Sequence, residues 1–141
     1  MRKQSDANSS SPPKLFTLFL DRNLGKHAVA DALEKAGILV EVHDDHLPKT
    51  APDDEWLAFV AKRNCVAITK DAKIRYRFPE IQAVKAHKAM MMVVVPKNIT
   101  GKGMADVLIK AHDRIQRFPK RNKPPFIAGI YADGSVKAYE I

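Results

Sequence analysis

Short apolar runs alternate with segments of helical periodicity along this chain. The runs at 15–21 and 38–42 have the length and composition of strands in a parallel sheet. Between them, apolar side chains recur at helical spacing from Lys26 to Ala36, and Gly37 is suited to end that helix. A strand, a helix and a strand within about 30 residues form a βαβ unit, whose two strands are parallel.

The same alternation continues to residue 96. A helix is predicted over 53–63, a strand over 65–69, a further helix over 79–88 and a long apolar strand over 89–96. Four strands separated by helices indicate the α/β class, with helices on both faces of a mostly parallel sheet.

The C-terminal part, 101–141, predicts one more helix and a β-hairpin. An apolar face runs along the helix at Ala105, Leu108, Ile109, His112 and Ile115, and Asp133-Gly134 is a strong hairpin signal. The polar, Ser- and Pro-bearing segment 1–14 is interpreted as a disordered leader. We therefore expect a single domain over 15–141, with its core at about 15–96.

Composition narrows the classes of partner. The net charge of +8 favours a polyanion such as RNA, because Lys and Arg side chains gain affinity by neutralising phosphates. No apolar stretch is long enough to span a membrane, so a cytoplasmic protein without a membrane partner is expected. The single cysteine, Cys65, lies in an apolar strand and is interpreted as a packed thiol.

Acidic residues follow the predicted strands. Asp21 ends the first strand, Asp45 follows the second, and Asp71 follows the third, while Asp54 begins the helix that precedes the third strand. Ligands of open α/β sheets bind beyond the carboxyl ends of the strands. Carboxylates that converge there repel one another unless a cation neutralises them, and Mg²⁺ or Mn²⁺ prefers such oxygen ligands.

Several of these acids also have an ordinary structural interpretation. Asp54 can be a helix N-terminal residue, with Asp53 or Thr50 as the cap. Asp44 and Asp45 can be turn residues, an interpretation favoured for Asp44, whereas Asp21 has no obvious capping role that Asn23 could not perform. His43 and His46 have zinc-like spacing, but no third ligand is evident from the sequence.

Basic and aromatic residues near these acids suit an RNA substrate. Arginine grips phosphate, and tyrosine stacks on bases. The candidates for substrate binding are Arg22, Lys70, Arg75, Tyr76 and Arg77.

Together, "LFLDRNL" and "DEWLAFVAKRNCVAITKD" resemble the PIN-like nuclease superfamily over residues 16 to about 95. In that superfamily the first strand ends on an acid, a later helix opens with an acid, and the next strand ends in Thr-x-Asp. The segments "EVHDDHLP", "PDDEWL" and "TKDAKIRYRFPE" are similar to the branch of VapC45-type PIN-like toxins.

This resemblance implies a three-layer α/β/α sandwich and a Mg²⁺-dependent endoribonuclease, the toxin of a type II pair with a cognate antitoxin. Asp21, Asp54 and Asp71 carry over as catalytic metal ligands. The helix that usually supplies another acid is shortened here, so Asp45 is the replacement candidate, with Glu55 behind it. A homodimer is a further expected assembly.

Two other functions remain open at this stage. A basic α/β module could bind nucleic acid or a protein without efficient hydrolysis. A phosphorylatable receiver-like domain also places acids at strand ends, but it needs an acid pair after the first strand, where this chain has Asp21 alone.

Overall fold

A computed structural model describes residues 15–24 and 27–141. The leader expected over 1–14 lies outside the described residues, as does Lys26, the predicted start of the first helix. Within the described part of the chain, no helix combines the length and apolar character needed to cross a membrane.

The strands and helices alternate as the periodicity predicts. The strands are β1 (Leu18–Leu20), β2 (Val40–Val42), β3 (Val66–Thr69), β4 (Met90–Val94), β5 (Phe126–Ile130) and β6 (Val136–Tyr139). The α-helices are α1 (His27–Lys35), α2 (Asp53–Lys62), α3 (Phe78–His87) and α4 (Gly101–Arg121). Short 3₁₀ turns occupy Arg22–Leu24, His43–Asp45 and Ala72–Tyr76.

All six strands join one sheet in the order β2-β1-β3-β4-β5-β6. The strands β1 to β5 are parallel, and β6 is antiparallel to β5. The chain moves to one side from β1 to β2 and then crosses to the other side of β1 to form β3. The order therefore reverses between β1 and β3, and such a reversal opens a crevice at the carboxyl ends of the strands.

Helices cover both faces of the sheet and bury its apolar runs. Leu18 and Leu20 point into the core shared with α1 and α4, whereas Phe19 points into the core shared with α2 and α3. The methionines of β4 divide in the same way, with Met91 on the α2 and α3 face. Burial on both faces explains the continuous apolar runs. The expected α/β/α sandwich is confirmed.

The C-terminal part extends the sheet. Strand β5 pairs with β4, and the predicted hairpin joins β5 to β6. In its turn, Gly134 has a φ of +87°, and Ser135 donates two hydrogen bonds to the carboxylate of Asp133. The side chain of Gln116 in α4 is bonded to both backbone polar groups of Phe16, which holds the chain leading into β1.

One residue of the predicted apolar face of α4 is placed differently. Ile109 is 39% exposed, while its neighbour Leu108 is fully buried. Consecutive residues of an α-helix are about 100° apart, so the two side chains cannot both face the sheet. His112, on the same predicted face, is only partly buried, and its Nε2 lies 3.3 Å from Nε2 of Gln116. Cys65, Trp56 and the methionines of β4 are buried as predicted.

Candidate active site

Two of the predicted acids, Asp21 and Asp71, are joined through the threonine of the Thr-x-Asp motif. Strands β1 and β3 are neighbours whose register brings Asp21 beside Thr69. The Thr69 hydroxyl donates to Asp21 Oδ2 at 2.8 Å and accepts from the backbone N–H of Asp71 at 3.1 Å. Thr69 is fully buried, so this one hydroxyl fixes the positions of both acids.

A cavity of about 280 Å³ lies over this arrangement. Three carboxylates, two guanidinium groups, one imidazole and one indole contribute to its walls. The lining residues are Asp21, Arg22, His43, Ala51, Asp53, Trp56, Asp71 and Arg77. Opposite charges therefore line one small concavity at the point where the strand order reverses.

Helix α2 contributes Asp53 to the cavity, whereas the sequence pointed to Asp54. Asp53 Oδ1 accepts a hydrogen bond from the indole of the buried Trp56 at 2.8 Å. Asp54 does not line this cavity; its side chain is 74% exposed and pairs with His87 of α3 at 3.0 Å. The N-cap of α2 is Pro52, without a side-chain cap, so the capping role considered for Asp53 is wrong.

Glu80, in the first turn of α3, adds a carboxyl group behind Asp53. Its Oε2 atom is buried and has no hydrogen-bond partner among the residues that the structure describes. Burial raises the pKa of Glu80, and a hydrogen bond with the carboxyl group of Asp53 raises it further. The sequence offered no specific signal for Glu80, because an acid in the first turn of a helix is ordinary.

The pKa of Asp21 is raised above its ordinary value. Burial is the main cause, and the charge of Asp53 acts in the same direction. The hydrogen bonds from Thr69 and from the backbone N–H of Arg22, together with the nearby His43, oppose that rise. The ionised form of Asp21 thus lies in a place that disfavours it, and a bound cation would favour it.

Two further acids proposed from the sequence lie elsewhere: Asp45 follows the second strand, and Glu55 is in the first turn of α2. Asp45 and Glu55 are exposed and do not line the cavity. The turn that carries Asp45 contributes the buried His43 instead, whose Nδ1 lies 3.2 Å from Asp44 Oδ1. His46 pairs with Glu41 at 3.2 Å, so the two histidines have separate carboxylate partners.

Comparison with known families gives this geometry a context. A family model described as a PIN-like domain matches residues 16–95. The chain belongs to the PIN-like domain family. No curated protein and no solved structure matches it. PIN-like domains are generally nucleases, and the fold described above is of this nuclease type.

The match covers every carboxylate of the cavity and Glu80. It ends before α4, β5 and β6. The strands β5 and β6 complete the sheet of this PIN-like domain.

The basic residues of the PIN-like site occupy different positions. Arg77 Nη1 lies 2.7 Å from Asp71 Oδ2, and Arg22 donates to the backbone carbonyl of Lys49. Lys70 lies on a neighbouring cavity. Arg75 belongs to the 3₁₀ turn after Asp71, but its side chain is outside the described part of the structure.

Two exposed aromatic residues flank Arg77. Tyr76 and Phe78 are each 70% exposed. Tyr76 was a predicted substrate-binding residue, whereas Phe78 was not singled out in the sequence. Large exposed aromatic side chains beside a cation such as Arg77 suit base stacking.

PIN-like domains typically use Mg²⁺ or Mn²⁺, and the donor chemistry here fits such an ion. Within residues 15–24 and 27–141, no three His, Cys, Asp or Glu side chains form a preformed metal-binding group. Mg²⁺ nevertheless keeps several waters and needs only one or two protein carboxylates. Asp21, Asp53 and Asp71 line the same cavity and offer hard oxygen ligands, so they meet that requirement.

Proposed function

We propose that this protein is a metal-dependent endoribonuclease. The observation that carries the proposal is the placement of Asp21, Asp53 and Asp71 on one cavity at the strand-order reversal of a PIN-like domain. RNA is the proposed substrate because the chain carries a net charge of +8 and exposes cations and aromatic side chains beside the cavity.

The three aspartates would hold Mg²⁺, with Asp53 in the role that the sequence assigned to Asp54. When bound, such an ion would activate a water molecule as the nucleophile and would neutralise charge on the scissile phosphate. Thr69 keeps Asp21 in place through its hydroxyl group, and Trp56 keeps Asp53 in place through its indole N–H. Hydrolysis of this kind leaves a 5′-phosphate and a 3′-hydroxyl end.

Cleavage of a 5′-labelled single-stranded RNA tests the proposal. Wild-type protein with Mg²⁺ or Mn²⁺ is expected to shorten the RNA, whereas EDTA or the Asp21→Asn substitution stops cleavage. Equal cleavage by homogeneous wild-type and Asp21→Asn protein, or equal cleavage in EDTA, would refute it.

The chain also contains a built-in reporter of metal binding. Trp56 is its single tryptophan, and the indole N–H is bonded to Asp53 on the proposed metal cavity. Paramagnetic Mn²⁺ is expected to quench Trp56 fluorescence in the wild type at concentrations that leave Asp21→Asn protein unquenched. This readout is independent of cleavage.

A second candidate function is a basic module that binds RNA and cleaves it poorly or not at all. The observation in its favour is the ion pair between Arg77 and Asp71, which places a guanidinium group on one of the three acids. In that case, RNA binding persists in Asp21→Asn protein while the wild type fails to cleave with either metal.

The biological setting that we propose is a type II toxin with a cognate antitoxin protein, on the basis of the resemblance to the VapC45-type branch. Induced expression of the wild type in a bacterial host is expected to arrest growth, whereas expression of Asp21→Asn protein is expected to leave growth unaffected. Co-expression of the product of the adjacent gene is expected to restore growth. Growth that is equal for wild type and variant would contradict the toxin assignment.

A further inference from the structure

A second cavity adjoins the proposed active site and shares Asp71 with it. This cavity has a volume of about 490 Å³. It is lined by Lys70, Asp71, Ala72, Val95, Pro96, Lys97, Asn98, Ile99 and Met104. Asp71 also lines the cavity formed with Asp21 and Asp53, so the two concavities meet at this residue.

The second cavity combines the chemistry needed for a nucleotide. Val95, Ile99 and Met104 contribute apolar residues to its lining, while Lys70 and Lys97 add positive charge. A volume of about 490 Å³ lies within the range of roughly 300–1,000 Å³ for small-molecule sites. Apolar surface accepts the face of a base, and lysines bind the neighbouring phosphates.

The segment between β4 and α4 holds a polar group at this cavity. Asn98 has a φ of +58°, in the left-handed region that Asn tolerates better than most residues. Its amide can both donate and accept hydrogen bonds, as the edge of a base requires. Thr100 then caps α4 by accepting from Gly103 N at 3.0 Å, which anchors the end of the segment.

Most of this cavity lies outside the region that matches the family. The match ends at residue 95, whereas Pro96, Lys97, Asn98, Ile99 and Met104 follow it. The acids thus belong to the matched PIN-like region, and the second cavity is largely built by the segment after it.

We infer that this second cavity binds the nucleotide next to the scissile phosphate of a single-stranded RNA. The inference rests on the proposed nuclease function, because it takes Asp71 as the boundary between the reacting phosphate and the bound nucleotide. Its base would lie on Val95, Ile99 and Met104, with Asn98 at the base edge and Lys70 and Lys97 at the phosphates.

Binding in EDTA separates this inference from catalysis. The probe is a short, 5′-fluorescein-labelled single-stranded RNA, and its anisotropy is measured with the full chain at constant ionic strength. The variants are Lys97→Ala and Asn98→Gly. Glycine at position 98 can keep the positive φ without strain. Lys62→Ala is the matched control, because Lys62 is an exposed lysine at the end of α2 that does not line the cavity.

Lys97→Ala and Asn98→Gly are each expected to weaken RNA binding about fivefold, and Lys62→Ala less than twofold. An RNA of the same length with abasic nucleotides is expected to bind the wild type at least about fivefold more weakly. If Lys97→Ala and Lys62→Ala lose RNA affinity equally, the loss reflects only the change in net charge, and the inference is overturned. Undiminished binding of the abasic RNA to the wild type would also overturn it.

Parallel cleavage assays with Mn²⁺ distinguish the two proposals. If the wild type cleaves RNA but its RNA affinity does not depend on Lys97, Asn98 or the bases, the nucleotide site is refuted and the nuclease function is retained. If binding depends on these groups but no metal supports cleavage, the nuclease assignment fails and the nucleotide site remains as part of an RNA-binding module.

Discussion

The guanidinium group of Arg77 lies 2.7 Å from the carboxylate of Asp71, on the cavity that Asp21 and Asp53 also line. A cation bound to Asp71 must compete with this arginine. A guanidinium group released from Asp71 would in turn be free to bind a substrate phosphate. We therefore expect Arg77 to oppose metal binding and to favour RNA binding.

Arg77→Ala is expected to change the two affinities in opposite directions. Mn²⁺ should bind about tenfold more tightly, because a neighbouring positive charge is removed, and RNA should bind about fivefold more weakly. Trp56 quenching measures the first effect, and RNA anisotropy in EDTA measures the second.

Arg63→Ala is the matched control for that variant. Arg63 forms a similar, similarly exposed ion pair with Glu41 at 2.8 Å, but neither residue lines the cavity. It is expected to leave Mn²⁺ affinity unchanged. If both substitutions alter Mn²⁺ binding alike, Arg77 has no specific influence on the site.

Adjacent aspartates of α2 provide a second test. Asp53→Asn is expected to lower kcat at least about 100-fold by removing a ligand of the metal. Asp54→Asn should leave kcat within about twofold, because the Asp54 carboxylate pairs with His87 instead of lining the cavity. The opposite ranking in a cleavage assay with Mn²⁺ would restore the assignment made from the sequence.

Asp21→Asn is expected to stabilise the metal-free fold at neutral pH. Burial raises the pKa of Asp21 above its unfolded value, so the ionised carboxylate opposes folding. The uncharged amide can still accept from Thr69, and we expect a gain of about 1 kcal/mol in the free energy of unfolding, the usual size for a stabilising substitution.

The pH dependence of that gain follows from the same shift. Below the pKa that Asp21 has in the unfolded chain, its carboxyl group is protonated in both the folded and the unfolded state, so burial of a charge costs no stability. This cost develops as the pH rises through the raised pKa of the folded state. Urea unfolding in EDTA should therefore show the advantage of Asp21→Asn at pH 7 and its disappearance in acid. An advantage that grows towards low pH would contradict this account.

Thr69→Val tests the hydroxyl that joins the two strands. Valine fills the same buried volume but can neither donate to Asp21 nor accept from the backbone of Asp71. A loss of about 1–3 kcal/mol in the free energy of unfolding is expected, since buried polar groups lose their partner. Thr69→Ser keeps the hydroxyl and should keep kcat; equal kcat in both variants would remove Thr69 from the site.

The hairpin that closes the sheet can be tested at Gly129. A methyl group added there would overlap the hydroxyl end of Tyr139 on the neighbouring strand. Gly129→Ala is expected to destabilise the fold by about 1–3 kcal/mol through overpacking. Thermal unfolding measures the loss, and an unchanged midpoint would show that Tyr139 moves aside freely.

Local sequence patterns determined the succession of strands and helices in this protein. Apolar runs and turn residues are short-range signals, so they located all four parallel strands up to residue 96, the helices between them and the hairpin at Gly134. They also placed Asp21 and Asp71 at strand ends, because the end of a buried strand is visible in the sequence itself. The register between β1 and β3 then made these two residues neighbours.

The tertiary structure alone decided which other side chains reach the cavity. Burial of Trp56 against the sheet fixes the rotation of α2, and that rotation turns Asp53 inward and Asp54 towards His87. Glu80 comes close to Asp53 because α2 packs on α3, a contact between residues far apart in sequence. Helix rotation and packing depend on the whole core, and so the sequence could name the strand-end acids but not the carboxylates that the helices bring to them.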